Sequence, residues 1–424
     1  MELYAAQSRL ESQPLSSDLA RQISRDLRVR YYVHGSYQRV GDDLRVMARL
    51  VDAEKDAIEA QETLTDRVAN VFGLEDELAT RFAARFGARG RAATRQSGTP
   101  PLEAYQAVSE ARAHYALGRL SEARALLKHA VDRAPGYAAA WASLSKTDSR
   151  LAAPAANQGR VSSEGLQQAL EEATTAVSLE PGLVDAQIAL ALAYRGLGML
   201  PAQRAAAEQA LALDRRNGEA LVIIGDAYAI APGLRCPSDP QPERAEQRYR
   251  EALTIDPLSS GHNNLTTHLW WMNRQTEAHQ TMSEGVSIQP DNVQLRLWLP
   301  FNMAFAGRAD EAFEMWRSGL QNPQQLRPVD AFIAGIIDLK RRKFETADDY
   351  LRRAGSQITE ALPFSLILAV TQLQAGRMSD GATSLQRGLE RDSACPAWFD
   401  RVPAFAPFKD APGVRAVLAR VRGT

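Results

Sequence analysis

The side chains with the greatest chemical potential in this 424-residue chain lie scattered through its second half. His262, His268 and His279 fall within 18 residues, at gaps of six and eleven. Two helical metal ligands need a gap of about four to share a face, so these three predict no metal centre. Cys236 and Cys395 are the only cysteines. They show neither a metal-binding spacing nor a disulfide framework, and two unrelated thiols are expected. Phosphate-loop, G-x-S-x-G and H-E-x-x-H patterns are missing from the sequence, so no catalytic constellation or cofactor is expected. What remains is recognition chemistry. Asn264, His268 and Trp271 recur about one helical turn apart. They offer an amide for peptide hydrogen bonds and an aromatic anchor of the kind that dominates interfaces. Trp271 suits a packed interior equally well.

Composition narrows the class of partner. Lys plus Arg is 50 and Asp plus Glu is 51, a formal charge of −1. Without a basic excess, nucleic acid is not an expected partner. No apolar run approaches the roughly 18 to 20 residues that span a bilayer. The start Met1-Glu2-Leu3-Tyr4 lacks a basic region followed by an apolar one. A cytoplasmic location is the expectation, or a periplasmic one if a membrane span precedes this chain.

The elements that must position such residues announce themselves by a repeat. Ala130, Ala176, Ala210, Ala252, Gly285, Gly319, Ala354 and Gly388 are separated by 46, 34, 42, 33, 34, 35 and 34 residues. Small residues at a fixed phase let paired helices approach closely, while Trp141, Tyr194, Tyr228 and Trp270 fill the spaces between pairs. Pro135, Pro181, Pro257 and Pro290 end second helices, because proline cannot donate the next backbone hydrogen bond. Over residues 101–392 the pattern resembles the tetratricopeptide repeat (TPR). That resemblance implies a mainly α chain, a right-handed solenoid of about eight helix pairs. The period breaks twice. About 12 extra residues, "AAPAANQGRVSS", form a long turn in unit two, and the Pro-rich "APGLRCPSDPQPE" lengthens the turn of unit four.

In a TPR array the first helix of each pair lines a concave groove. Projection along the frame assigns Asp185, Ile188, Leu192 and Arg195 to it in unit three, and Val222, Asp226 and Ala229 in unit four. Unit five supplies Asn264, His268 and Trp271; unit six Leu297, Phe301 and Ala304; unit seven Phe332, Ile336 and Leu339. The candidate site is therefore Asp185, Arg195, Asp226, Asn264, His268, Trp271, Phe301 and Phe332. Its apolar end is either filled by the chain's own C-terminal aromatics or part of the inter-helix interior.

Residues 1–87 read differently. A helix from Ser16 to about Leu27 is followed by three alternating strands, Val29–Val40, Leu44–Val51 and Ile58–Leu64, and a helix to about Phe86 with Leu74, Leu78 and Phe82 inward. The strand bearing "VRYYVHGS", the strand "RVMARLVDA" and the helix "VFGLEDELA" resemble the second half of the TolB-like amino-terminal domain. That module precedes tetratricopeptide arrays in some adenylate cyclases, kinases and winged-helix regulators. The opening strand and helix of that domain have no counterpart before "ARQISRDL", so an apparently truncated α/β module is expected, with more chain upstream. Its exposed sheet edge also offers a surface for a homo-oligomer. A Gly-, Pro- and Arg-containing linker, 88–100, leads to the array. The closing segment 393–424 is expected to cap the last pair with Trp398, Phe399, Phe405 and Phe408. The expected function is a non-catalytic interaction scaffold holding a peptide or protein segment in the groove. The alternative is the regulatory C-terminal region of a signalling protein whose output domain lies outside this chain.

Overall fold

Alternation in the sequence translates directly into a sheet. In a computed structural model, which describes residue 24 and residues 29–85, 100–157, 163–231, 236–320 and 326–423, β1 (Tyr31–Val40), β2 (Asp43–Asp52) and β3 (Ala57–Arg67) form an antiparallel sheet in the order β1-β2-β3. The register pairs Val33 with Leu50, Val46 with Leu64 and Leu50 with Ala60. Directly paired residues share a face, so Leu44, Ala48, Leu50, Ala60 and Leu64 come together. They bury against Leu74, Leu78 and Phe82 of helix α1 (Val71–Arg85). On β1, Val33, Tyr37 and Val40 stay exposed. The expected first helix falls, apart from Ser24, outside the described residues, as does most of the linker.

The chain divides into two compact units, Met1–Thr147 with Glu172–Ala186, and Asp148–Glu171 with Gln187–Thr424. In the first, the sheet module meets the first helix pair, α2 (Leu102–Ala116) and α3 (Leu120–Arg133). Phe72 packs edge-on to Tyr105 at 4.7 Å, and the Tyr105 hydroxyl donates to Glu75 at 3.1 Å. Ala104, Val108 and Ala111 on α2 interlock with Ala123, Leu127 and Ala130 on α3.

The helices α4 (Ala138–Asn157), α5 (Ser163–Leu179), α6 (Val184–Gly196) and α7 (Leu200–Leu213) follow. Five further pairs come after them among the described residues, the first being α8 (Gly218–Tyr228) with α9 (Pro242–Ile255). Next come α10 (Gly261–Trp271) with α11 (Gln275–Ile288), and α12 (Val293–Phe305) with α13 (Ala309–Ser318). The last two are α14 (Pro328–Lys340) with α15 (Phe344–Ala354), and, after the single turn α16 (Ser356–Thr359), α17 (Phe364–Gln374) with α18 (Met378–Leu389). Half of the unit-two insertion is not a turn: α4 continues through Ala152 to Asn157, making it 20 residues long. The chain closes with α19 (Cys395–Phe399), a 3₁₀ segment Pro403–Phe408, and α20 (Pro412–Arg422).

One backbone position recurs at the sharp turn inside most pairs. It has positive φ and is occupied by Gly118, Gly198, Gly307 and Gly376, and also by Asn273 and Arg342, both at φ 60°. Glycine adopts this left-handed conformation without a Cβ penalty and asparagine tolerates it; an arginine there is less common. A second device went unread in the sequence. The residue just before several second helices is an arginine bonded to an acid three residues on: Arg274 to Glu277, Arg308 to Glu311 and Arg377 to Asp380, each at 2.6 Å. Two of these arginines also reach back one repeat, Arg274 to Glu246 at 2.6 Å and Arg377 to Asp348 at 2.5 Å. Burial pushes the Glu246 carboxyl up, but the guanidiniums of Arg274 and Arg250 outweigh it and hold its pKa below the ordinary value.

Close approach accounts for the small residues. Ala130, Ala176, Ala210 and Ala252 have no exposed surface, and a Cβ on Gly285 would lie 2.8 Å from that of His262. Gly319 departs from the pattern: it follows the end of α13, where a Cβ would meet only the carbonyls of Met315 and Trp316. Gly225 shows the constraint most clearly, since a Cβ there would stand 2.6 Å from the ring of the buried Tyr249. Alanine would gain about 1 kcal/mol of helix propensity, yet overpacking costs about 1–3 kcal/mol. Gly225→Ala is therefore expected to lower stability in a urea titration; an increase would contradict this packing.

Candidate protein-interaction surface

Four helices converge on one carboxylate. Asp226, on α8, accepts through Oδ1 from the Tyr249 hydroxyl of α9 at 2.8 Å and from the Asn264 amide of α10 at 2.7 Å. Its Oδ2 accepts from Arg195 Nη1, at the end of α6, at 2.9 Å. The four elements come from three successive repeats, so the frame that assigned Arg195, Asp226 and Asn264 to one face brings all three together. Tyr249 belongs to a second helix and its role was not read from the sequence. Burial, then the Asp226 charge, pushes its hydroxyl well above the ordinary tyrosine value, so it remains a donor at neutral pH. The Asp226 side chain is 16% exposed and that of Arg195 48%, so the cluster presents guanidinium donors at the surface. Asp185 is held elsewhere, in the first unit, by Arg112 at 3.5 Å.

The other candidates are interior residues. Trp271 has no exposed surface, Phe332 none, His268 1% and Phe301 5%, so none offers a free anchor. Phe301 packs with Trp270, Trp298 and Phe305, and Phe332 lies edge-on to Phe364 at 5.2 Å. No set of three or more His, Cys, Asp or Glu able to hold a metal occurs among the described residues.

Trp271 is covered by the chain's own C-terminal segment. Its ring meets Trp398 at 5.4 Å and Phe405 at 6.2 Å. The Trp398 indole donates to the Ile230 carbonyl at 2.8 Å, and the Cys236 amide donates to Asp392 at 3.0 Å. Arg401 binds Asp239 at 3.2 Å. The two cysteines are not unrelated thiols. Cys236 and Cys395 form a disulfide across 159 positions, with Cα atoms 5.0 Å apart. Sequence spacing could not reveal it, because the lengthened turn of repeat four and the end of the chain meet only after four intervening repeats have folded. That turn is thus a dock for the C-terminus. The closing segment meets the last pair, α19 and α20 against α18 and Pro403–Phe408 against α17, and Pro403–Phe408 also reaches back to α10.

Burial has an electrostatic consequence at His268. Removal from water, aided by the Arg274 charge, outweighs the opposing pull of the Glu246 and Glu243 carboxylates, and its pKa falls from 6.5 to about 4. An unfolded histidine protonates near pH 6.5 whereas the folded one resists until about 4. The associated stability is therefore full above pH 6.5 and lost as pH falls toward 4. At pH 4.5 the loss is about 2.5 kcal/mol. Urea titrations at pH 7.5 and 4.5 should show a smaller drop for His268→Leu than for the unaltered chain by about that amount; equal drops would contradict a buried neutral imidazole.

No family model matches the chain, and no curated protein matches it. Among solved structures it is similar to a thermophilic TPR protein of Thermus thermophilus, at 20% identity over 47% of this chain and 98% of that one, with a TM-score of 0.40. It is also similar to a tetratricopeptide repeat protein from Parabacteroides merdae, at 18% identity over 61% of this chain and 94% of that one, with a TM-score of 0.39. The fold of this chain stands on its own helix pairs and their recurrent turns.

Proposed function

We propose that this protein is a non-catalytic interaction scaffold that receives a peptide or protein segment along the first helices of repeats three to five. Asp226 carries the reading: its carboxylate fixes an exposed arginine and an amide from neighbouring repeats into one recognition cluster. Arg195 contributes charge-assisted hydrogen bonds to an acidic or carbonyl group, Asn264 orients with it, and Asp226 holds both. A photocrosslinking residue at Arg195 should capture a discrete partner, and Asp226→Asn or Asn264→Ala should weaken partner binding about fivefold or more. Capture that is indifferent to both substitutions would contradict the proposal.

The Cys236–Cys395 bridge bears on location. Such a bond persists in oxidising compartments and is uncommon in a reducing cytosol, which favours an extracytoplasmic setting over the cytoplasmic one expected from sequence. No described helix is long and apolar enough to cross a membrane. The resemblance of residues 27–86 to the TolB-like domain supports a second reading, in which the scaffold is the regulatory part of a cyclase, kinase or winged-helix regulator. That reading requires an output domain encoded in frame upstream, and a reading frame without one ends it.

A further inference from the structure

The run Cys395–Phe408 lies against the array as a ligand would. Trp398 and Phe405 are 1% and 0% exposed. Besides the neighbouring α18 and α20, their surroundings include the turn of repeat four, α10 and α17, all distant in sequence from Trp398. Covering the last pair does not require this reach, since α20 packs on α18 and buries Val414, Val417 and Leu418. Nor is the contact saturated. The indole nitrogen of Trp271, whose ring meets Trp398 and Phe405, is buried with no acceptor. A buried donor left unpaired is costly, so a segment presenting a carbonyl there would fit better than the resident one.

We propose that the surface formed by Ile230 and Trp271, beside α17, is a docking site for an extended partner segment with a tryptophan and a phenylalanine spaced like Trp398 and Phe405 beside prolines, and that the chain's own run occupies it as an intramolecular competitor. This rests on the scaffold reading and adds a second site distinct from Asp226. The prolines fix φ in the docked segment and so reduce the entropy lost on ordering. The disulfide ties Cys395 beside its dock, giving the resident run a high effective concentration that a free segment cannot match. The oxidised chain is therefore closed. Opening needs a dithiol reductant: it gives up two electrons and two protons and becomes a disulfide, while Cys236 and Cys395 each become a thiol.

The probe is a fluorescein-labelled peptide with the sequence of residues 394–408 carrying Cys395→Ser. It is titrated by fluorescence polarisation into the full chain, oxidised or reduced with dithiothreitol, with reduction verified by thiol titration. The reduced chain should bind at least about tenfold more tightly than the oxidised one. Trp398→Ala with Phe405→Ala should tighten it further by weakening the competitor, and adding Trp271→Ala should abolish it. A reduced Trp398→Ala, Phe405→Ala chain that keeps its helical circular dichroism and cooperative melting yet binds no peptide overturns the proposal. If that variant does not fold, hydrogen exchange on the unaltered chain decides. Exchange across residues 395–408 should rise about tenfold or more on reduction while α10 and α12 stay protected; unchanged protection overturns the proposal. Arg195→Ala should leave peptide binding intact, so loss of the Asp226-centred site and loss of this one are read separately.

Discussion

Cys236→Ser with Cys395→Ser should lower the unfolding free energy by about 2–5 kcal/mol, with the upper end set by the entropy of closing so long a loop. The bond spans 159 positions, so without it the unfolded chain regains the freedom of everything from repeat four to the C-terminus. Both half-cystines are buried, at 4% and 0% exposure, and the surrounding contacts persist when serine replaces sulfur: the Trp398 indole on Ile230, the Cys236 amide on Asp392 and Arg401 on Asp239. The loss should therefore appear as reduced stability of a folded protein rather than as failure to fold. Urea titrations of the oxidised, reduced and doubly substituted chains check this. The last two should coincide, and all three coinciding would mean that the bridge does not constrain the chain.

Trp271→Ala should cost about 3–5 kcal/mol, the range for removing a large aromatic from a packed interior. Its ring has no exposed surface and contacts Trp270 at 4.8 Å, Trp398 at 5.4 Å and Phe405 at 6.2 Å. Had Trp271 been a free anchor in an open groove, its loss would leave stability within about 0.5 kcal/mol, as for most surface changes. Arg195→Ala supplies the contrast. Its guanidinium is half exposed and its pair with Asp226 lies at the surface, so a stability change within about 1 kcal/mol is expected. Thermal or urea unfolding of the two variants side by side separates an interior residue from a surface one.

These expectations mark where the sequence was legible. Paired helices and strands are local and periodic, so the phase of Ala252 or Gly388 and the alternation of Leu44, Ala48 and Leu50 could be read directly. The frame also brought Arg195, Asp226 and Asn264 onto one surface, because each position follows from its own repeat. It could not see Tyr249, which reaches the cluster from a second helix. It left the exposure of Trp271, Phe301 and Phe332 open between anchor and interior, because exposure depends on what covers a residue, and the cover for Trp271 lies more than a hundred residues downstream. Asn273 and Arg342 escaped notice for a simpler reason: they occupy a left-handed turn where glycine is the usual signal. The two features that break the repeat, the long turn of repeat four and the non-repeat C-terminus, looked independent. They are partners, and only the folded array brings them together.

The central claim is that the C-terminal segment is fastened to the turn of repeat four across the face of the array. Peptide mapping of the natively oxidised full chain, alkylated under denaturing conditions without reductant, tests it most directly. The account predicts one linked pair of peptides containing Cys236 and Cys395 and no alkylated thiol. Recovery of both cysteines as separate alkylated peptides would contradict it.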